Sequence, residues 1–321
     1  MNITPQSWLD TISNEYLSDF IKHGGAAVKF VFPMEDVDKN EFINMLRQSS
    51  KEENYLYTFV DAVSTKIHMI DKVFHEIARQ VDWDELSYVF VKKLFLENGY
   101  KLPELHEDFN LQRIAAINGR EEKFLRIEIH SWLEKEIFRD FEMSQEFRIA
   151  MIRLCLNQLD AGAPTAFLSN AIKEWLKGEL RLILTLKDAL IFQKIARHNA
   201  RHMLFSLAHW LRLNGKSGLV VTLDISRYLL STKPRDRDPD SGHFYSGPAV
   251  LDAYEVLRQF IDGTDEMEGC LIVVIAPMDF LNDDRRGLNR YDALKLRILD
   301  EVRDRQRENP LASLVRLTNH Q

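Results

Sequence analysis

No run of apolar residues in this chain approaches the ~20 that a membrane-spanning helix needs, although hydrophobic residues make up 45% of it. The opening residues, MNITPQSWLDTISNEY, lack the basic and apolar regions of a secretory signal. Only two cysteines occur, Cys155 and Cys270, far apart and in apolar surroundings. A disulfide framework or cysteine metal site is therefore not expected, and both read as buried thiols. These absences together predict a cytoplasmic protein. Positive charge is also short: 42 Lys and Arg stand against 49 Asp and Glu, for a formal net charge of −7. Proteins that hold nucleic acid with their own surface usually carry a basic balance or a strong basic stripe, so autonomous DNA binding is not expected. No internal repeat, low-complexity tract, Ser-His-Asp or Cys-His arrangement, or nuclease-like carboxylate cluster stands out. What remains is an ordinary globular composition, 28% charged, in 321 residues. That is enough for one large domain or two.

Glycine is missing where it would matter most. Residues 28–40 read VKFVFPMEDVDKN: an apolar strand (Val28 to Phe32), a turn, then a helical pattern set by Phe42, Ile43 and Leu46. This is the context of a phosphate-binding loop, G-x-x-x-x-G-K-[ST] between a strand and a helix. On that template Pro33 and Asp38 take the two glycine places, Lys39 keeps the lysine, and Asn40 replaces the Ser/Thr. A phosphate loop uses glycine for positive φ and close backbone approach, whereas proline fixes φ and removes a donor. Glu35, Asp36 and Asp38 add three carboxylates where a polyanion would lie. Like charges roughly 4 Å apart cost about 1 kcal/mol in water and about 4 at an effective dielectric of 20. Asn40 retains the ability to meet a Mg²⁺ ion, as a neutral amide. Taken alone, the stretch is read equally well as an acidic strand-to-helix turn.

A second stretch matches the first. Gly218 to Asp224 (GLVVTLD) is a short apolar strand ending in an aspartate, the form of a Walker B strand, whose aspartate holds Mg²⁺. Ile225 follows where many such ATPases place a glutamate, and it can neither take a proton nor orient water. A strand-ending or capping aspartate is the plain alternative for Asp224. Two motifs altered at their chemical positions, each in the right local setting, favour a nucleotide fold that no longer hydrolyses.

Along the chain, residues 1–27 read as helical up to Gly24-Gly25, followed by the strand at 28–32 and a helix to about Arg47. Tyr55 to Val60 reads as a second strand, Thr65 to Gly99 as helix, and Lys101 to Gly119 as a connector. Residues 120–214 are almost continuously helical in pattern, broken near 160–164 and at Gly178. Strands at 219–224 and 271–276 flank a helix over 248–262. A helix from Tyr291 to Arg307 and a short strand at Leu314 to Leu317 close the chain. Alternating strands and helices predict a parallel α/β sheet, with core halves at 1–105 and 215–321 and an all-helical insertion at 106–214. Lys233 to His243 reads as a charged, proline-containing loop. His198 and His202, four apart on an expected helix, have metal-ligand spacing. Flanking arginines and the absence of an H-E-x-x-H pattern favour a basic face instead, so no metal is expected. Glu134, Lys135 and Glu136 read as a wet helical face, and Trp132, Phe138 and Phe141 as core.

Four stretches carry a resemblance to the ATP-binding proteins of bacteriophage-exclusion (BREX) systems, P-loop ATPases related to AAA+ proteins. Similar proteins occur in Shango-type defence systems beside a TerB-like protein and a helicase. The stretches are Tyr16 to Phe32, Asn199 to Leu223, Tyr254 to Gly263, and Phe280 to Arg297 with its Arg-Arg-Gly-Leu and Tyr-x-Ala-Leu pattern. The resemblance implies an AAA-like parallel sheet flanked by helices and a role in anti-phage defence. It implies partners among an active ATPase, helicase, nuclease or TerB-like subunit, a homo- or hetero-oligomer, nucleic acid only indirectly and no membrane. The departures from the family's motifs leave a vestigial nucleotide site at Lys39, Asn40 and Asp224, with no catalytic residues and no cofactor expected. The family's hydrolysing members keep the glycines and an Asp-Glu pair that this chain lacks. The chain also stops soon after the last matched segment, where a helical lid would follow. In AAA-like rings an arginine near Arg285 and Arg286, or Arg297, can reach the neighbouring subunit's nucleotide, a task suited to the planar guanidinium. Two alternatives stand beside the pseudo-ATPase: a nucleotide binder holding ATP and Mg²⁺ through Lys39 and Asp224 with little hydrolysis, and a nucleic-acid-binding adaptor.

Overall fold

The computed structural model describes residues 3–160, 163–227, 243–299 and 309–320. Along the chain run α1 (Pro5–Ile12), β1 (Ala26–Pro33), α2 (Lys39–Glu52), β2 (Tyr55–Asp61), α3 (Ile70–Arg79), α4 (Trp83–Glu97), α5 (Leu111–Ile117), α6 (Glu122–Leu133), α7 (Gln145–Asn157), α8 (Ala163–Lys177) and α9 (Ala200–Leu213). β3 (Gly218–Asp224), α10 (Gly247–Asp262), β4 (Cys270–Ile275), α11 (Asp279–Asn282), α12 (Asp292–Ile298) and β5 (Leu314–Leu317) complete it. The chain divides into two compact units, residues 1–77 with 215–321, and residues 78–214. The first division thus falls at 77/78, whereas the sequence pattern placed it at 105/106.

The first unit is α/β. Among the described residues it holds a five-stranded, all-parallel sheet in the order β2-β3-β4-β1-β5. Every residue of β3 and β4 is buried, as expected where helices cover both faces of a parallel sheet. On one face Val31, Val220, Leu271 and Val273 meet Trp8, Ile12, Phe42 and Leu46 from α1 and α2. On the other, Phe30 and Phe32 of β1 meet Phe280, which is edge-on to Tyr254 of α10. Both cysteines are buried and unpaired, and burial pushes their thiols up, Cys270 to about 12. β3 and β4 begin against one another at two glycines. Gly218 has φ 148, and a Cβ there would lie 1.9 Å from the Gly269 carbonyl oxygen.

The second unit is helical, with a core containing Trp83, Phe90, Phe95, Phe147, Met151 and Trp210. The Phe90 and Trp210 rings meet tilted by 45°, with centroids 4.6 Å apart. Three expectations are corrected here. Residues 178–199 form no α-helix: Gly178 (φ 73) ends α8, a 3-10 turn covers Ile183–Ala189, and Leu190 (φ 64) stops it. His198 lies in the turn before α9, so the two histidines do not share a helix face. Among the described residues no His/Cys/Asp/Glu group could hold a metal. Phe138 and Phe141 are 46% and 79% exposed rather than core. A π-helical turn at Glu134–Phe138 keeps Ile129, Leu133 and Ile137 on the buried stripe and turns Phe138 away. Trp132 is half-buried, edge-on to Phe95 and Tyr100. In the first unit, the expected helix to Arg307 is observed over Asp292–Ile298. Its residues 300–307, and residues 233–242 of the charged loop, lie outside the described residues. No described helix is long and apolar enough to cross a membrane.

Candidate functional site

In an open parallel sheet, ligands bind outside the carboxyl ends of the strands, and here β1 and β3 end on the same edge with β4 between them. β1 runs to Pro33, at the last rung of its ladder with β5, where a missing donor is tolerated. The Met34 N–H then donates to the Leu317 carbonyl at 2.9 Å, and the Val37 N–H to the Met34 carbonyl at 3.0 Å, closing the turn. Asp38 caps α2: its Oδ1 accepts from the N–H groups of Asn40 (2.8 Å) and Glu41 (3.2 Å). A helix N-terminus is where backbone N–H groups receive a phosphate, and in this turn the chain's own carboxylate sits there. No residue from Pro33 to Asn40 has positive φ. The Asn40 side chain is exposed.

Lys39, the first residue of α2, reaches across the sheet edge. Its Nζ donates to Asp224 Oδ2 at 2.7 Å and to Ser226 Oγ at 2.8 Å. Asp224 ends β3 and is 5% exposed, and its other oxygen accepts from the Ser226 N–H at 2.9 Å, an Asx turn. The two residues singled out from separate motifs therefore form one ion pair. Ile225 is fully buried, its N–H donating to the Ile275 carbonyl at 2.9 Å, so the position after the aspartate faces core. β2 lies beside β3, pairing Asp61 with Asp224. On β2, burial raises the Tyr57 phenol above its ordinary value, and Arg47 of α2 sits 5.4 Å over its ring.

Asp36, one of the three carboxylates expected to repel a polyanion, has a different task. It accepts from Thr318 Oγ1 (2.8 Å), Asn319 N (2.6 Å) and His320 N (3.1 Å), tying the turn to the segment after β5. These bonds, the Thr318 hydroxyl first, hold its carboxyl below the usual range. Nothing in sequence spacing links residues 36 and 318. Ser226 was missed as well, although an aspartate two residues before a serine is a turn signal.

The arginines separate. The Arg286 guanidinium donates to the Tyr245 carbonyl at 2.6 Å and lies 5.9 Å over Phe244, while its carbonyl accepts from the Tyr254 hydroxyl. Arg297 grips both oxygens of Asp262 and the Ala293 carbonyl. Both are committed within their own unit. Arg285 and Arg297 are exposed and Arg286 is half-buried; the Arg285 N–H donates to the Asp283 carboxylate at 2.7 Å. The same carboxylate takes the Arg286 N–H, and these two amides hold it below its ordinary value.

One protein family matches: that of the BREX system ATP-binding protein BrxC/D, over residues 111–321, more than half of the chain. Asp224, Arg285, Arg286 and Arg297 lie within the matched residues, and β1 with Lys39 precedes them. No curated protein matches significantly, and no solved structure does. The chain belongs to the family of BREX system ATP-binding proteins BrxC/D.

Proposed function

We propose that this chain is a nucleotide-silent, AAA-like member of its family, a cytoplasmic structural or regulatory subunit of a BREX-type anti-phage system. The observation that carries the reading is the closed state of the sheet edge. Asp38 occupies the α2 amides, and Asp224 holds Lys39 at 2.7 Å. A triphosphate would have to displace a carboxylate from two amides, at about 1.5–3 kcal/mol each. A ligand otherwise of micromolar strength, about −8 kcal/mol, would fall toward millimolar. Glu35, exposed on the same turn, opposes it further. ATP and Mg²⁺ therefore do not fit the turn as arranged, and Ile225 supplies no base. The work of the subunit is then non-enzymatic: it docks on an active ATPase, helicase or nuclease of the system, and Arg285, exposed and outside the Arg297–Asp262 ion pair, is the arginine offered to a neighbour's phosphates. A phosphate-release assay tests this. Turnover of the purified chain should equal that of Lys39→Ala, and turnover abolished by that substitution would overturn the reading.

One observation favours a second reading. The family's description is ATP-binding, and Lys39 and Asp224 meet where a nucleotide would lie. In that reading nucleotide opens the ion pair and is held without efficient hydrolysis.

A further inference from the structure

Two helices of the second unit stop in the same way. α4 is followed by Asn98-Gly99-Tyr100 and α5 by Asn118-Gly119-Arg120. Each glycine has positive φ, 78 at Gly99 and 60 at Gly119. The Tyr100 N–H returns to the Phe95 carbonyl and the Arg120 N–H to the Ala115 carbonyl, both at 3.0 Å. Such a glycine stop fixes the direction in which the next residue leaves the helix. Asn118 ties the two stops together. Its amide oxygen accepts from the Lys101 N–H at 2.9 Å, and its amide nitrogen donates to the Lys101 carbonyl at 2.8 Å. Tyr100 and Arg120 thereby line one cleft of about 430 Å³. α6 completes the lining with Glu128 and Trp132, four apart and so on one helix face.

The cleft has an aromatic corner and a wall of acceptors. The Tyr100 and Trp132 rings meet at 62° with centroids 5.6 Å apart, and both are half-buried. Buried Phe95 backs them, 5.7 Å from Tyr100 and 5.5 Å from Trp132. The Tyr100 hydroxyl donates to Glu128 Oε2, which orients the carboxylate. Its Oε1 has no hydrogen bond among the described residues. Burial, and then Glu128 itself, raise the Tyr100 phenol above its ordinary value, so it stays a donor. Asn98 commits its amide nitrogen to the Leu94 carbonyl at 2.8 Å, which leaves its oxygen as a second acceptor. Arg120 is the one cation in the lining. Its side chain is exposed and makes no ion pair among the described residues.

We propose that this cleft binds a guanine base carrying a phosphate. The ring stacks in the Tyr100–Trp132 corner, its amine edge donates to Glu128 and Asn98, and its phosphate meets Arg120. Aromatic side chains stack bases and leave the Watson–Crick edge to be read by hydrogen bonds. Guanine sets its N1–H and N2–H groups side by side on that edge, whereas adenine and cytosine set an acceptor beside their one amine. A wall of acceptors selects guanine. A guanidinium or ammonium ligand would also suit the rings and Glu128, but Arg120 opposes a second cation and pairs with a phosphate. Such a base comes from a free nucleotide or from single-stranded nucleic acid, and the recognising chemistry is shared. Every lining residue belongs to the second unit, so the inference stands whether or not the sheet edge of the first is silent.

Calorimetric titration of the full chain with GMP should give a Kd of about 100 μM or tighter, with AMP and inorganic phosphate failing to saturate below millimolar. Arg120→Ala should weaken GMP about 5–10-fold and leave guanosine unchanged. Glu128→Gln, which keeps an acceptor for Tyr100, should weaken both about 10-fold. Guanosine should quench tryptophan emission in the wild type and not in Trp132→Phe, because the other four tryptophans are buried. Lys39→Ala should bind GMP as the wild type does, which separates this cleft from the sheet edge. A guanine-containing single-stranded tetranucleotide binding at least about 10-fold tighter than GMP would identify nucleic acid as the source, and equal or weaker binding a free nucleotide. No saturation by GMP or the tetranucleotide at about 1 mM would overturn the proposal. So would equal affinity for GMP and AMP, GMP binding lost in Lys39→Ala, a quench that survives Trp132→Phe, or Arg120 and Glu128 variants that bind as the wild type does.

Discussion

Replacing Lys39 by methionine should destabilise the α/β unit more than replacing its partner. Asp224 is 5% exposed. Without Lys39 it keeps a buried negative charge and a single hydrogen bond, from the Ser226 N–H at 2.9 Å. Removing one partner from a buried pair costs about 3–5 kcal/mol. The Lys39 side chain is 30% exposed, so water screens part of this, and about 2–3 kcal/mol is expected. Asp224→Asn leaves an acceptor for Ser226 and a lysine able to turn outward, for about 1 kcal/mol. With both replaced, no charge is stranded. The double variant should sit about 1–2 kcal/mol below wild type, a coupling of about 2 kcal/mol. For a unit of this size each kcal/mol moves the melting midpoint by about 2–4 °C, so thermal melts of the four proteins resolve the cycle. Lys39→Met within about 0.5 kcal/mol of wild type, or simple additivity, would refute the reasoning.

Ile225→Glu, which restores the residue an active site would have, should yield no phosphate release. It should cost about 3 kcal/mol or more, because the side chain enters a fully buried site; melts and a turnover assay read both. Gly218→Ala places a Cβ 1.9 Å from the Gly269 carbonyl oxygen at φ 148, so soluble yield and cooperative melting should be lost. Asp36 has a carboxyl pKa lowered by Thr318 and the following amides, so its stabilisation is present above the unfolded value of about 3.9. That stabilisation is lost as pH falls through the lower folded value. The midpoint advantage of wild type over Thr318→Val should therefore be full at pH 6 and fade below about pH 4.

The strands were legible because β1, β3 and β4 are buried on both faces, and continuous apolar runs such as VKFVF, GLVVTL and LIVVI announce that state. The Lys39–Asp224 meeting was anticipated only through motif context, since 185 residues separate the partners. The helical unit was less legible. Hydrophobic periodicity assumes 3.6 residues per turn, and the π-turn at Glu134–Phe138 breaks that count and turns Phe138 to the surface, while Phe141 lies in the turn beyond the helix. The break at Gly178 was legible, but the same periodicity resumed a helix after it through 199, where the backbone is a 3-10 turn over Ile183–Ala189 ended by a positive-φ leucine, Leu190. Arg286 and Arg297 looked outward in sequence because their acceptors, the Tyr245 carbonyl and Asp262, are set by tertiary packing alone.

Calorimetric titration of the intact chain with ATP and Mg²⁺ bears most directly on whether the sheet edge is closed. With Asp38 on the α2 amides and Lys39 on Asp224, no saturable heat is expected below millimolar nucleotide, and none should appear in Lys39→Ala. Micromolar binding by wild type that vanishes in Lys39→Ala would contradict the account.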